Sequence, residues 1–115
     1  MMTVEVYDHN ELFNDYQTKI KEFAVPLTYP ESLYHGLFGL ACESGELLEK
    51  YKKQLRDKTE VSEEDFVKEL GDVLWYVAYL AWVRNIPLSY IAEKNIEKLS
   101  SRKERGVLGG SGDNR

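Results

Sequence analysis

GLACESGELLEKYKK, residues 39–53, and KELGDVLWY, residues 68–76, decide how this chain folds. Within them stand Glu43-Ser44-Gly45-Glu46 and Glu69-Leu70-Gly71-Asp72, with 22 residues between Glu46 and Glu69. Each acidic pair is spaced i, i+3 in a helical pattern, so both of its members point the same way. The interval is long enough to finish one helix, turn and begin an antiparallel partner. Four carboxylates would then converge between two helices, where their mutual repulsion calls for cations. Hard divalent ions with oxygen ligands suit such a site, Mg²⁺ first, with Mn²⁺ able to substitute.

Working outward, four helices account for nearly all of the chain, with a weak strand over Thr3–Tyr7. The first helix is expected from about Asn10 to Ala24, capped by Asp8 or Asn10, before a connection bracketed by Pro26 and Pro30. The second runs from about Ser32 to Leu55, with Leu33, Leu37, Leu40, Leu47, Tyr51 and Leu55 on one face. Ser62 caps the third, with Asp65 in the capping-box position, and that helix continues to Arg84. Pro87 serves as an early residue of the fourth, which lasts to about Arg105. Residues 106–115, GVLGGSGDNR, hold four glycines and no periodicity, which predicts a flexible tail after one helical domain over residues 1–105.

With 115 residues, 43% hydrophobic and 30% charged, the chain suits one folded domain rather than a disordered one. A net charge of −5 argues against a nucleic-acid binder that relies on a basic surface. Val73 to Val83 is apolar throughout, yet eleven residues cannot span a bilayer, so no membrane association is expected. Met1 to Asn10 does not read as a signal peptide, and Cys42 is the single cysteine, so the expected compartment is the cytoplasm. Cys42 itself reads as a small buried hydrophobe.

Gly36, Gly39, Glu43, Glu46, Lys50 and Lys53 follow 3,4,3,4,3 spacing and form a stripe bordering the leucine face of the second helix. Two glycines cost a helix about 1 kcal/mol each against alanine, which signals close approach of a packed helix or of a ligand. On the third helix Glu69, Asp72, Tyr76 and the nearby Tyr79 repeat the design. A solvated charged face would explain Glu60, Glu63 and Glu64, but it suits Asp72 badly, because an apolar run follows it directly. Asn95, Lys98, Arg102 and Arg105 make a basic stripe on the fourth helix, suited to phosphate but also favoured by the helix dipole. Trp75, Tyr79 and Trp82 occupy a side of the third helix distinct from Glu69, Leu70, Val73, Val77 and Leu80. A subunit partner covering that side is expected.

Taken together these residues resemble the MazG-like nucleotide pyrophosphohydrolases of the all-α nucleoside triphosphate pyrophosphatase superfamily. The family pattern, E-x-x-E, a gap and E-x-x-D, is matched by Glu43, Glu46, Glu69 and Asp72. Its small-residue step is matched by Gly39-Leu40-Ala41, and its downstream basic region by NIEKLSSRKERG, residues 95–106. The resemblance covers about Leu33 to Arg105 and implies a four-helix antiparallel bundle. It implies Mg²⁺-dependent cleavage of a nucleoside triphosphate between the α and β phosphates, giving monophosphate and pyrophosphate. Glu43, Glu46, Glu69 and Asp72 would be the metal-binding and catalytic residues, with Glu46 a candidate proton acceptor. Lys98 and Arg102 would grip phosphates, Asn95 would orient the substrate, Tyr76 would lie near base or sugar, and Lys53 would join the substrate ligands. The family is commonly dimeric or tetrameric, so a homodimer or homotetramer is expected. The alternatives are a relative cleaving phosphoribosyl-ATP, dUTP or dCTP, and a non-catalytic helical interaction module. A carboxylate-bridged di-iron bundle expects Glu-x-x-His, which neither acidic pair supplies.

Overall fold

In a computed structural model the described residues are 9–115. They form α1 (His9–Ile20), a 3₁₀ turn (Lys21–Phe23), α2 (Glu31–Asp57), α3 (Glu63–Val83) and α4 (Leu88–Glu104). The protein is all-α with the four expected helices, and no strand occurs among the described residues. The strand expected over Thr3–Tyr7 and the cap candidate Asp8 lie outside them, while the other cap candidate, Asn10, sits inside α1.

Local chemistry sets the ends of these helices. The Asp65 N–H donates to the Ser62 hydroxyl at 3.0 Å, satisfying one of the free amides that begin α3. Lys58 ends α2 in the left-handed region (φ 58°), and its N–H donates to the Gln54 carbonyl at 3.0 Å. Pro87, expected just inside α4, instead stands in extended backbone immediately before it. Its fixed φ suits that entry, and its carbonyl accepts from Tyr90 N–H at 3.0 Å. Among the described residues no helix is long and apolar enough to cross a membrane.

The two acidic helices, α2 and α3, share the largest contact; α1 lies against both α3 and α4, and α2 makes no comparable contact with α4. Glycine decides how closely the first pair packs. A Cβ on Gly36 would come within 2.6 Å of Leu80 Cδ2 and 2.9 Å of Tyr79 Cδ1, and one on Gly39 would run into the Tyr76 ring. Helix packing therefore accounts for both glycines of the stripe.

The core lies where α1, the second half of α3 and the start of α4 meet, at Ile20, Ala78, Tyr79 and Leu88, with Trp75 and Trp82 packed around it. This corrects the expectation that the Trp75, Tyr79, Trp82 side needs a subunit partner: Tyr79 is 1% exposed within one chain. The uncovered apolar residues lie elsewhere, at Leu37, Phe38, Leu48, Tyr51 and Leu55 of α2 and Phe66, Val67, Leu70 and Leu74 of α3. Cys42 is also exposed rather than buried, because a residue beside Glu43 is turned about 100° from the face that meets α3.

Gln17 ties the core together from α1. Its side-chain amide donates to Ile86 O at 2.9 Å and Ala78 O at 3.4 Å, and its oxygen accepts from Leu88 N–H at 2.9 Å. The bend between α3 and α4 thereby finds partners that its own backbone cannot supply. Residues 106–115, expected to be mobile, fold back against α4. The Arg115 guanidinium donates to the carbonyls of Val107, Leu108, Gly109 and Gly112, which closes the segment into a loop.

Two substitutions separate packing from helix propensity. Gly39→Ala should lower the unfolding free energy by about 1–3 kcal/mol through overpacking against Tyr76. Gly45→Ala, whose Cβ meets nothing within 4 Å, should raise it by about 0.5–1 kcal/mol. Urea titration of both measures the contrast, and equal effects would contradict the packing account. In the same assay Gln17→Ala should cost about 1–3 kcal/mol, because buried backbone groups lose their partner.

Candidate functional site

Glu43 comes from the middle of α2, and Glu69 and Asp72 come from successive turns of α3. Each offers one carboxylate oxygen, and these oxygens lie within 4.8 Å of one another. The convergence follows from the fold: an i, i+3 pair on α3 faces a helix held close by Gly36 and Gly39. Glu46, the fourth expected member, is exposed and outside the converging set, although it stands near enough to Glu43 to act on it.

The cluster is short of counter-charge. Oε2 of Glu43 and Oε2 of Glu69 are both buried without a hydrogen-bond partner. Glu69 is 9% exposed, and its other oxygen lies 3.6 Å from Lys50 Nζ across the hairpin. Burial pushes the Glu43 carboxyl above the usual carboxylate range, and Glu46, Asp72 and Glu69 push it the same way. The Tyr76 phenol is raised by burial and then by the charges of Glu43 and Asp72. The Tyr16 phenol of α1 is raised by burial and then by the charge of Asp72. Orphaned buried oxygens on convergent carboxylates fit a hard divalent cation, which would remove both the repulsion and the unsatisfied acceptors.

Beside the carboxylates opens a cleft of about 390 Å³ lined by Phe23, Glu43, Asp72, Trp75 and Tyr76. Trp75 and Tyr76 meet edge to face at 5.0 Å, and Trp75 stacks on Tyr79 at 5.2 Å with 13° between the rings. Tyr76 was expected near this position. Phe23 and Trp75 were not assigned to the site from sequence. Trp75 lies one turn beyond Asp72, a spacing that could have marked it. Phe23 arrives from the 3₁₀ turn after α1, and no local pattern announces it. A second cleft, about 470 Å³ between residues 21–32 and the end of α3, has no carboxylate in its lining.

The remaining expected residues stand apart from the cluster. Lys53 pairs with Glu49 at 4.0 Å and lines a small cleft with Lys50, Thr59, Glu60, Val61 and Asp65, near the turn of the hairpin. Asn95 is exposed and lines a cleft between α1 and α4 with Phe13 and Ser89. Arg102, 5% exposed, donates to Asp113 O at 2.8 Å and to Gly112 O and Asp113 Oδ1 at 3.4 Å. Lys98 Nζ also lies 3.4 Å from Asp113 Oδ1. One chain therefore gathers Glu43, Glu69, Asp72 and Tyr76, with Glu46 at the border, and leaves Lys53, Asn95, Lys98 and Arg102 elsewhere.

Comparison with known proteins bears on the same segment. The chain is similar to the gene 37 protein of Mycobacterium phage L5, at 49% identity over 89 residues, covering 74% of this chain and 78% of that protein. No solved structure gives a significant match. The family model of the MazG nucleotide pyrophosphohydrolase domain matches residues 31–107, the stretch that holds both acidic pairs and the basic stripe. On that match, over most of its length, the chain belongs to the MazG nucleotide pyrophosphohydrolase domain family.

Proposed function

We propose that the protein hydrolyses a nucleoside or deoxynucleoside triphosphate between the α and β phosphates, releasing the monophosphate and pyrophosphate, with Mg²⁺ as cofactor. The observation that carries this reading is the convergence of Glu43, Glu69 and Asp72 with two of their oxygens buried and unpartnered. These residues would hold the cation, which supplies charge neutralisation for a polyphosphate when bound. Glu46, exposed beside Glu43 and outside the converging set, is the carboxylate that would accept a proton from the attacking water. The water oxygen then bonds to the α phosphorus in line as the bridging bond to the β phosphate breaks, and pyrophosphate leaves. Tyr76, with Phe23 and Trp75, offers the aromatic wall on which a base or sugar can rest. Asn95, Lys98, Arg102 and Lys53 are the candidate polar and cationic ligands for the substrate. The proposed compartment is the cytoplasm, where the triphosphate and the cation are both at hand.

A second copy of the chain belongs to this proposal. The Cα radius of gyration is 17.2 Å, against about 13 Å for a compact domain near this size. Leu37, Leu48 and Leu55, all exposed, fall on one side of α2 at 100° per residue and leave apolar surface that water penalises. A homodimer or homotetramer would cover it and bring further cations towards the acidic cluster.

Separate functions for the carboxylates give distinct outcomes. Glu43→Gln, Glu69→Gln and Asp72→Asn should abolish turnover and the rise in Tm that Mg²⁺ gives the parent protein. Glu46→Gln should keep the Mg²⁺-induced rise while kcat falls about 10²–10⁴-fold. Full activity in any two of the first three variants would contradict the site. Chromatography of the products from a triphosphate panel should find monophosphate and pyrophosphate, and orthophosphate with diphosphate would overturn the reaction.

The raised Glu43 carboxyl sets a pH dependence. Its ionisation costs stability, a cost absent below the unfolded pKa and incurred as pH rises through the higher folded value. Without metal, Glu43→Gln should therefore match or exceed the parent Tm at pH 7.5, and that advantage should vanish below the ordinary carboxylate range. A lower Tm for the variant at pH 7.5 would contradict the repulsion. Light scattering at micromolar concentration should give a dimer or larger species, and a 13.4 kDa monomer would contradict the covered face.

A further inference from the structure

The α4 stripe and the loop that follows it form one device. Arg102 is 5% exposed, with its Nε unpartnered and its fork turned to Gly112 O, Asp113 O and Asp113 Oδ1. Lys98 meets the same carboxylate oxygen. Asp113 thus puts one anionic oxygen between an ammonium and a guanidinium, as a phosphate oxygen would stand. Its carboxyl is held below the usual range by Lys98 first and by Arg102. The exposure and geometry of the carboxylate favour exchange over permanence. The Asp113 side chain is 86% exposed, and its contacts with both cations are long at 3.4 Å. The loop is closed on itself by the Arg115 guanidinium on four backbone carbonyls, and Gly112 at φ 88° takes the turn that presents Asp113. Its backbone is held on α4 by Arg102 on Asp113 O and Arg105 on Arg115 O, both at 2.8 Å, so the Asp113 side chain is the part that can yield first.

We propose that residues 106–115 are a built-in plug of the α4 anion site, with the Asp113 carboxylate occupying Lys98 and Arg102 until a polyphosphate displaces it. The inference rests on the reading that Lys98 and Arg102 take phosphate. It adds that this protein carries its own competitor for that ligand, so the apparent affinity is set partly by the loop.

Inorganic pyrophosphate alone is the probe, titrated calorimetrically into the full chain, Asp113→Asn, Arg102→Lys and Lys98→Ala. Asp113→Asn should bind pyrophosphate about two- to fivefold more tightly, the factor an exposed ion pair is worth, and the gain should shrink at high salt. Its KM for the triphosphate should fall by a similar factor with kcat unchanged. Hydrogen exchange at the Val107 amide, which donates to Arg102 O at 2.8 Å, should quicken when pyrophosphate is added to the parent. If pyrophosphate binds through Lys98 and Arg102 but Asp113→Asn binds no tighter, or more weakly, the plug is overturned while the phosphate reading stands. If binding is indifferent to Lys98 and Arg102, the phosphate reading of α4 fails and the plug with it.

Discussion

The close contact of α2 with α3 at Gly36 and Gly39 is the constraint on which the rest depends. Tyr76, Tyr79 and Leu80 occupy the space that a side chain at either glycine would need. One helical turn beyond Gly39 comes Glu43, and one turn before Tyr76 comes Asp72, so the same approach that seats the rings brings carboxylates from both helices together. Wider spacing would relieve the repulsion and lose the site. Helix propensity given up at the glycines, about 1 kcal/mol each, is the cost of that proximity.

The cluster is accordingly a place where stability and function oppose one another. Glu43 and Glu69 each keep a buried oxygen without a partner, and Lys50 at 3.6 Å offsets only part of the charge. A fold selected for stability alone would put a hydrogen-bonding or apolar side chain at these positions. A cation bound among these carboxylates would relieve the repulsion. The phenols of Tyr16 and Tyr76 are pushed up by burial and then by the same carboxylates.

Much of this was legible because it is local. The i, i+3 spacing put Glu69 and Asp72 on one face, the Ser62 cap fixed the start of α3, and the prolines marked the connection before α2. What required the tertiary structure was which neighbour each face meets. Periodicity separated the Trp75, Tyr79, Trp82 side from the Leu70, Val73 side, but it could not say that α1 would bury the first and leave Leu70 at 44% exposure. Cys42 was misread for a related reason, since small size suggests burial while its angular position beside Glu43 turns it outward. Gln17 and Phe23 act across long sequence separations, through the α3–α4 bend and the aromatic cleft, and no spacing encodes such meetings. The glycines of 106–115 suggested freedom, but Arg115 supplies the bonds that close the loop.

The central claim is that Glu43, Glu69 and Asp72 together hold a divalent cation. Anomalous diffraction from crystals grown with Mn²⁺ tests it most directly, because the ion reports its own position without reference to turnover. The account predicts an anomalous peak within ligand distance of carboxylate oxygens from all three residues, lost in Glu69→Gln. Diffraction with no peak between α2 and α3, or with the ion held only by other acidic residues, would contradict it.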